Sequence, residues 1–244
     1  MMTPGPSGPS GLFLVDKPAG PTSHDVVLWA RRHFSQKQIG HCGTLDPMAT
    51  GLLILVLGAA TRWQSEIADG DKTYRGRFKL GVTSDTDDST GKTLEIHPVP
   101  PLSLTEVQSA MAAFVGTIEQ TVPLYAAVKV KGRPLYEWAR KGIPVIQPRR
   151  IVTVHRFHLS DYRDSEGEFS VVCSKGTYIR SLVRDVGNKL GTGAVMTALR
   201  RERIGRYDVS GAYPWRTDKP PSPEETAKSF IPNEAYLEVQ ARAT

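Results

Sequence analysis

Residues 40–51, Gly-His-Cys-Gly-Thr-Leu-Asp-Pro-Met-Ala-Thr-Gly, hold the side chains of this chain best suited to chemistry. Gly40, Gly43 and Gly51 punctuate a polar loop that carries His41, Thr44, Asp46 and Thr50. Pro47 follows Asp46, and its ring biases Asp46 toward an extended backbone and removes one amide donor. A carboxylate is thereby held on a stiff turn. Residues 52–57 are apolar at every position and close at Gly58, which fits a strand buried on both faces. Asp-Pro is also a common turn starter. Residue types alone leave a structural turn and a reactive carboxylate both open.

The elements that must position this loop are legible on either side. Residues 11–16 read as a first strand, after which Lys17-Pro18-Ala19-Gly20-Pro21 forces a turn. Thr22 and Asp25 have capping-box spacing ahead of a helical stripe of Val26, Val27, Ala30 and Phe34. Residues 59–68 predict a short helix. Residues 72–80 alternate, with Tyr74, Gly76, Phe78 and Leu80 on one face and Thr73, Arg75, Arg77 and Lys79 on the other. Tyr74 therefore points inward, as a core tyrosine or as the wall of a pocket.

Residues 83–92 contain three aspartates, but their spacing departs from a calcium loop and lacks the distal glutamate, so they read as a solvent loop. Thr105 and Gln108 are expected to cap a helix through Val107, Met111 and Phe114, ended by Gly116. Strands follow at 151–159 and 169–173. Thr177 then caps a helix with the buried stripe Ile179, Leu182, Val183, Val186 and Leu190. Arg180 lies off that stripe in the first turn, where a cation is slightly disfavoured. Asp185, solvent or a more distant partner must hold it.

Composition bounds the class. With 244 residues, 39% hydrophobic and 23% charged, the chain is long enough for a sizeable core in one domain, or one domain plus a small appendage. No apolar run is long enough to cross a bilayer. Residues 1–10 are Pro, Gly and Ser without an apolar core, a flexible tail and not a signal peptide. Cys42 and Cys173 give neither a disulfide framework nor metal spacing. The cytoplasm is the expected compartment, and no membrane or metal partner is expected. The net charge is +6, yet positions 129–163 alone hold nine Lys or Arg against Glu137 and Asp161. A second cluster is Arg200, Arg201, Arg203 and Arg206. Such concentration favours phosphate contact over merely solvated faces.

The string from Gly40 to Gly51 closely resembles the catalytic loop of the TruB family of tRNA pseudouridine synthases. The resemblance extends to Asp16-Lys17-Pro18 with Thr22-Ser23-His24-Asp25-Val26-Val27, to Asp71-Lys72-Thr73-Tyr74, and to Thr197-Ala198-Leu199-Arg200-Arg201. It covers residues 11–215. It implies an α+β pseudouridine synthase fold, a mostly antiparallel mixed central sheet flanked by helices. Residues 122–150, with Tyr136 and Trp138 among basic residues, are similar to the family's inserted RNA-gripping segment. Residues 216–244 would be a short extension, ending before the PUA-like RNA-binding domain that family members usually carry, as a natural short form or a truncation.

Site roles follow from the same resemblance. Asp46 is implied to be the nucleophile and Arg180 its partner, while Tyr74 stacks on the target base and takes part in handling the C5 proton. Tyr178 and Leu199 would line the pocket. His41 would fill the space left by the flipped base, or serve as a turn histidine. Lys17 could touch RNA or simply hold the Lys-Pro turn, and Lys129, Arg140, Arg149 and Arg150 would contact the RNA backbone. The implied substrate is the T-arm stem-loop of tRNA, read by a monomer at the uridine conventionally numbered 55.

Isomerising uridine to pseudouridine breaks the bond from N1 to C1′ and remakes it through C5. Neither redox change nor external group is involved, so no cofactor and no metal are expected. A carboxylate is needed, as covalent nucleophile or to generate a glycal-type intermediate. The base must also leave its stack. The rival readings are a non-catalytic RNA-binding protein or tRNA-folding chaperone, and another base-flipping enzyme such as a glycosylase.

Overall fold

The computed structural model describes residues 8–216 and 220–241. It divides into two units, Met1–Lys72 with Arg200–Thr244, and Thr73–Leu199. Residues 1–7 of the expected flexible tail lie outside the described residues. Its end is not free: Gln36 donates to the Pro9 carbonyl at 3.2 Å, and the amides of Ala59 and Asn233 donate to Ser10, each at 3.2 Å.

The first unit opens with β1 (Gly11–Lys17), α1 (Ser23–His33), β2 (Ile39–His41) and β3 (Thr50–Leu57). Thr22 and Asp25 form the expected capping box, each side chain accepting the other's amide at 3.1 and 2.8 Å. The helix expected over 59–68 is instead a 3₁₀ turn, Gly58–Trp63, followed by α2 (Gln64–Asp69); neither has a side-chain cap to nucleate one continuous helix.

In the second unit come β4 (Lys72–Leu80, its first residue in the first unit), β5 (Val82–Ser84), β6 (Thr93–Ile96), α3 (Leu104–Ala112), β7 (Gly116–Thr121), β8 (Lys129–Val130) and β9 (Arg133–Pro134). Then follow α4 (Leu135–Arg140), β10 (Arg149–Arg163), β11 (Glu166–Cys173), α5 (Ile179–Lys189) and β12 (Ala194–Ile204), which ends back in the first unit. The sheet order is β12-β4-β11-β10-β7. Phe169 joins its core, 6.2 Å from the Phe78 ring and 5.5 Å from that of Phe157. Ser103 and Glu106, not Thr105 and Gln108, cap α3, because the Glu106 carboxylate reaches back to the Ser103 amide at 2.7 Å. Gln108 instead pins β10, accepting from the Leu159 amide at 2.7 Å.

The chain returns to the first unit through β13 (Tyr207–Asp208), β14 (Tyr213–Pro214), α6 (Pro223–Ser229), β15 (Phe230–Pro232) and α7 (Asn233–Ala241). Its sheet runs β14-β1-β3-β12, with β2 on β3, β13 on β12 and β15 on β1. Strand β3 is antiparallel to β1 along its length and parallel to β12 where Thr50 and Gly51 meet Arg200 and Arg201. Every side chain from Leu52 to Leu57 is fully buried, as the apolar run requires. The extension after residue 216 enters this core: Tyr236 is buried, 4.6 Å from the Trp63 ring, and donates to Glu66 at 2.9 Å. The fold is α+β, with mixed and mostly antiparallel sheet flanked by helices.

Candidate active site

In the first unit the Asp46 loop is tied down almost peptide by peptide. The Cys42 amide donates to Ile54 at 2.9 Å, and Ser23 Oγ accepts from the Leu45 amide at 2.8 Å while donating to its carbonyl at 3.1 Å. The Pro47 carbonyl accepts from the Gly20 amide at 2.8 Å and from Lys17 Nζ at 3.2 Å. The Ala49 amide closes the turn on the Asp46 carbonyl at 3.0 Å. Asp46 itself is half-buried.

Lys17 is wholly enclosed, and its ammonium also donates to Pro18 and Pro21 at 2.8 and 2.9 Å. Burial pulls its pKa down to about 8, against the raising effect of Asp46. Its protons are spent on the turn, the structural of its two sequence readings. Burial also lowers the His41 pKa, with the Arg201 charge acting in the same direction, so its ring is neutral near pH 7. Cys42 is pushed up to about 12 by burial and stays a thiol.

Of the basic cluster of residues 200–206, Arg201 is buried, which corrects the phosphate-contact expectation for that residue, while Arg203 and Arg206 are exposed. Arg200 makes a two-pronged pair with Asp16 at 3.0 and 2.7 Å, and Arg203 lies 3.7 Å from Asp208. Arg206 sits over the rings of Tyr207 and Tyr236, at 5.2 and 5.4 Å. Arg201 is buried, donating from Nε to Leu52 at 2.7 Å, from Nη2 to Gly43 at 3.0 Å and from Nη1 to Thr44 at 3.4 Å.

In the second unit Tyr74 and Leu199 are buried, each with 7% of its surface exposed. Arg180 is buried too, contrary to the expectation that it lies off the inner stripe of α5. It donates to the carbonyls of Thr86 at 2.8 Å and Tyr125 at 3.0 Å, and its Nε lies 3.8 Å from the Asp88 carboxylate. The loop over 83–92 is therefore no solvent loop. Asp88 is buried and accepts from Thr86 Oγ1, the Thr90 amide and Thr90 Oγ1 at 2.8, 2.9 and 2.6 Å.

Asp185 is not the partner of Arg180. It pairs with Arg184 at 3.0 Å, which also holds Asp87 at 2.9 Å. Burial raises the pKa of both carboxyls against that guanidinium. Tyr178, not Thr177, is the N-cap residue of α5, and its amide and carbonyl are satisfied by the Gln120 side chain at 2.8 and 3.0 Å. Its ring packs against Val122, Ala126 and Leu135. Lys129, Arg140, Arg149 and Arg150 are exposed. Arg149 pairs with Glu119 at 2.9 Å, and Arg140 covers the Tyr136 ring at 5.3 Å.

The description "TruB family pseudouridylate synthase (N terminal domain)" matches residues 31–179, and "tRNA pseudouridylate synthase B C-terminal domain" matches residues 180–215. The chain belongs to the TruB family. It is similar to tRNA pseudouridine synthase B of Opitutus terrae, 45% identical over 202 residues, 83% of this chain and 84% of that one. For the Leifsonia xyli subsp. xyli protein of the same name the identity is 46% over 218 residues, 86% and 72%. A crystal structure of a Cbf5-Nop10-Gar1 complex superposes with a TM-score of 0.68 at 27% identity, over 98% of this chain and 68% of that one.

Two buried charged residues of this TruB-family synthase, Arg201 and Asp88, are not marked as buried by any sequence motif. Arg201 was hidden in a run of arginines, although the period-two alternation from Leu199 puts it on the inward face of β12. Asp88 was hidden among acids suited to solvent, and no local pattern marks it.

Proposed function

We propose that this TruB-family synthase isomerises the T-loop uridine of tRNA conventionally numbered 55, with Asp46 as the nucleophile. The loop geometry carries the reading: a half-buried carboxylate on a turn fixed by Lys17, Gly20, Ser23 and Arg201 is preorganised, as covalent chemistry at a sugar carbon requires. The family match supplies the substrate class.

The uridine is flipped out, and Tyr74 stacks on its base. Asp46 either adds to C1′ as N1 departs or removes a ribose proton to give a glycal. The freed uracil turns and C5 bonds to C1′; in the first route this expels the carboxylate, in the second the proton taken by Asp46 returns to the ribose, and in both the C5 proton is lost while N1 gains one. The charge balance is unchanged from uridine to pseudouridine. The family resemblance carries two further roles into this reading, Arg180 as the counter-charge of Asp46 and Tyr74 in the C5 proton transfer. His41, neutral, fills the place of the flipped base. Lys129, Arg140, Arg149 and Arg150 hold phosphates of the T-arm. On this reading the enzyme works in the cytoplasm, where its tRNA substrate is.

Tritium release from tRNA labelled at uridine C5 tests the reading. Wild-type protein is expected to release tritium, and Asp46→Ala to bind tRNA while losing at least about 10³-fold in rate. No release from folded, tRNA-binding wild type supports a binding module instead, and free uracil in the product supports a glycosylase.

A further inference from the structure

Arg201 is 1% exposed, and each of its described hydrogen bonds ends on a backbone carbonyl. A guanidinium removed from water is costly unless its donors are met. Among the described residues they are met at two places: Gly43 and Thr44 on the entering limb of the Asp46 loop, and Leu52 on the leaving limb. The rigid fork of an arginine can span both limbs, whereas an ammonium cannot. Just beyond the fork, Ser23 Oγ makes a reciprocal pair with both backbone groups of Leu45, the residue before Asp46. Gly51 adds the third constraint. Its φ is +102°, and a Cβ there would lie 2.2 Å from the Arg201 carbonyl, so strand and loop are locked in one register.

We propose that Arg201 and Ser23 are positioning residues for the reaction, closing the base of the Asp46 loop and aiming its carboxylate without touching RNA. The inference rests on Asp46 being the nucleophile. Both side chains are buried, so the device should act on the chemical step and leave tRNA affinity alone. A misplacement near 1 Å costs about 100-fold in rate.

The test uses full-length protein with Ser23→Ala, Arg201→Lys and Tyr236→Phe. The last loses a hydrogen bond of the same unit, to Glu66, in which no residue of the loop takes part, and controls for stability. Single-turnover tritium release at saturating tRNA, tRNA affinity and thermal melting are measured for each. Ser23→Ala is expected to fall about 10-fold in rate, and Arg201→Lys about 100-fold, with affinity within about threefold of wild type. Tyr236→Phe is expected to keep the wild-type rate. Should Arg201→Lys not fold, Ser23→Ala, which leaves the charge in place, decides. Wild-type rates from a folded Ser23→Ala or Arg201→Lys protein, or equal losses in Tyr236→Phe, overturn the proposal. Absence of release from wild type defeats the synthase reading itself and is thereby told apart.

Discussion

Arg180 and Asp88 face each other inside the second unit, Nε to Oδ2 at 3.8 Å, with side chains 5% and 6% exposed. Removing the acid leaves a buried guanidinium with carbonyl partners at Thr86 and Tyr125 but without this counter-charge. Asp88→Ala is expected to cost about 3–5 kcal/mol in urea unfolding. Asp88→Asn keeps an acceptor for Thr86 and Thr90, and should cost less. Equal stability of wild type and Asp88→Ala would contradict the pairing.

Lys17 gives a pH signature. Its folded pKa of about 8 lies below the ordinary 10.5, so between those values the unfolded chain holds a proton that the folded chain has released. The Lys17 contribution to stability therefore rises with pH across that window, and below it the cost of burying the charge is present in full. Compared with Lys17→Met, wild type is expected to gain stability between about pH 8 and pH 10.5. A difference independent of pH would show that the ammonium is not desolvated.

Gly51→Ala combines a left-handed backbone with a Cβ 2.2 Å from the Arg201 carbonyl. The expected loss is on the order of 3 kcal/mol, seen as a lower midpoint in denaturant. A tolerated alanine would mean that β3 and β12 can slide apart at this register.

Tyr236→Ala opens the core around Trp63 and leaves Glu66 without its phenol partner. About 3–5 kcal/mol should be lost. If stability is unchanged, α7 does not contribute to the core of the first unit.

The buried strand β3, the capped helix α1 and the alternation of β4 were legible because each is written in a local period or a short-range cap. So was the Asp46 loop, whose glycines, proline and acid are contiguous. What sequence could not rank were competing local signals: Ser103 over Thr105 as the cap of α3, decided by the reach of a carboxylate.

Charge was read least well, and for a physical reason. Whether an arginine meets solvent, a carboxylate or a carbonyl depends on groups distant in sequence. Asp16 and Arg200 are 184 positions apart, Leu52 and Arg201 are 149, and Thr86 and Arg180 are 94. Sequence alone therefore determined the family, the boundaries of the Asp46 loop and most elements. Only tertiary structure decided that Lys17, Asp88, Arg180 and Arg201 are buried charges, because burial is a property of what packs around a residue and not of the residue.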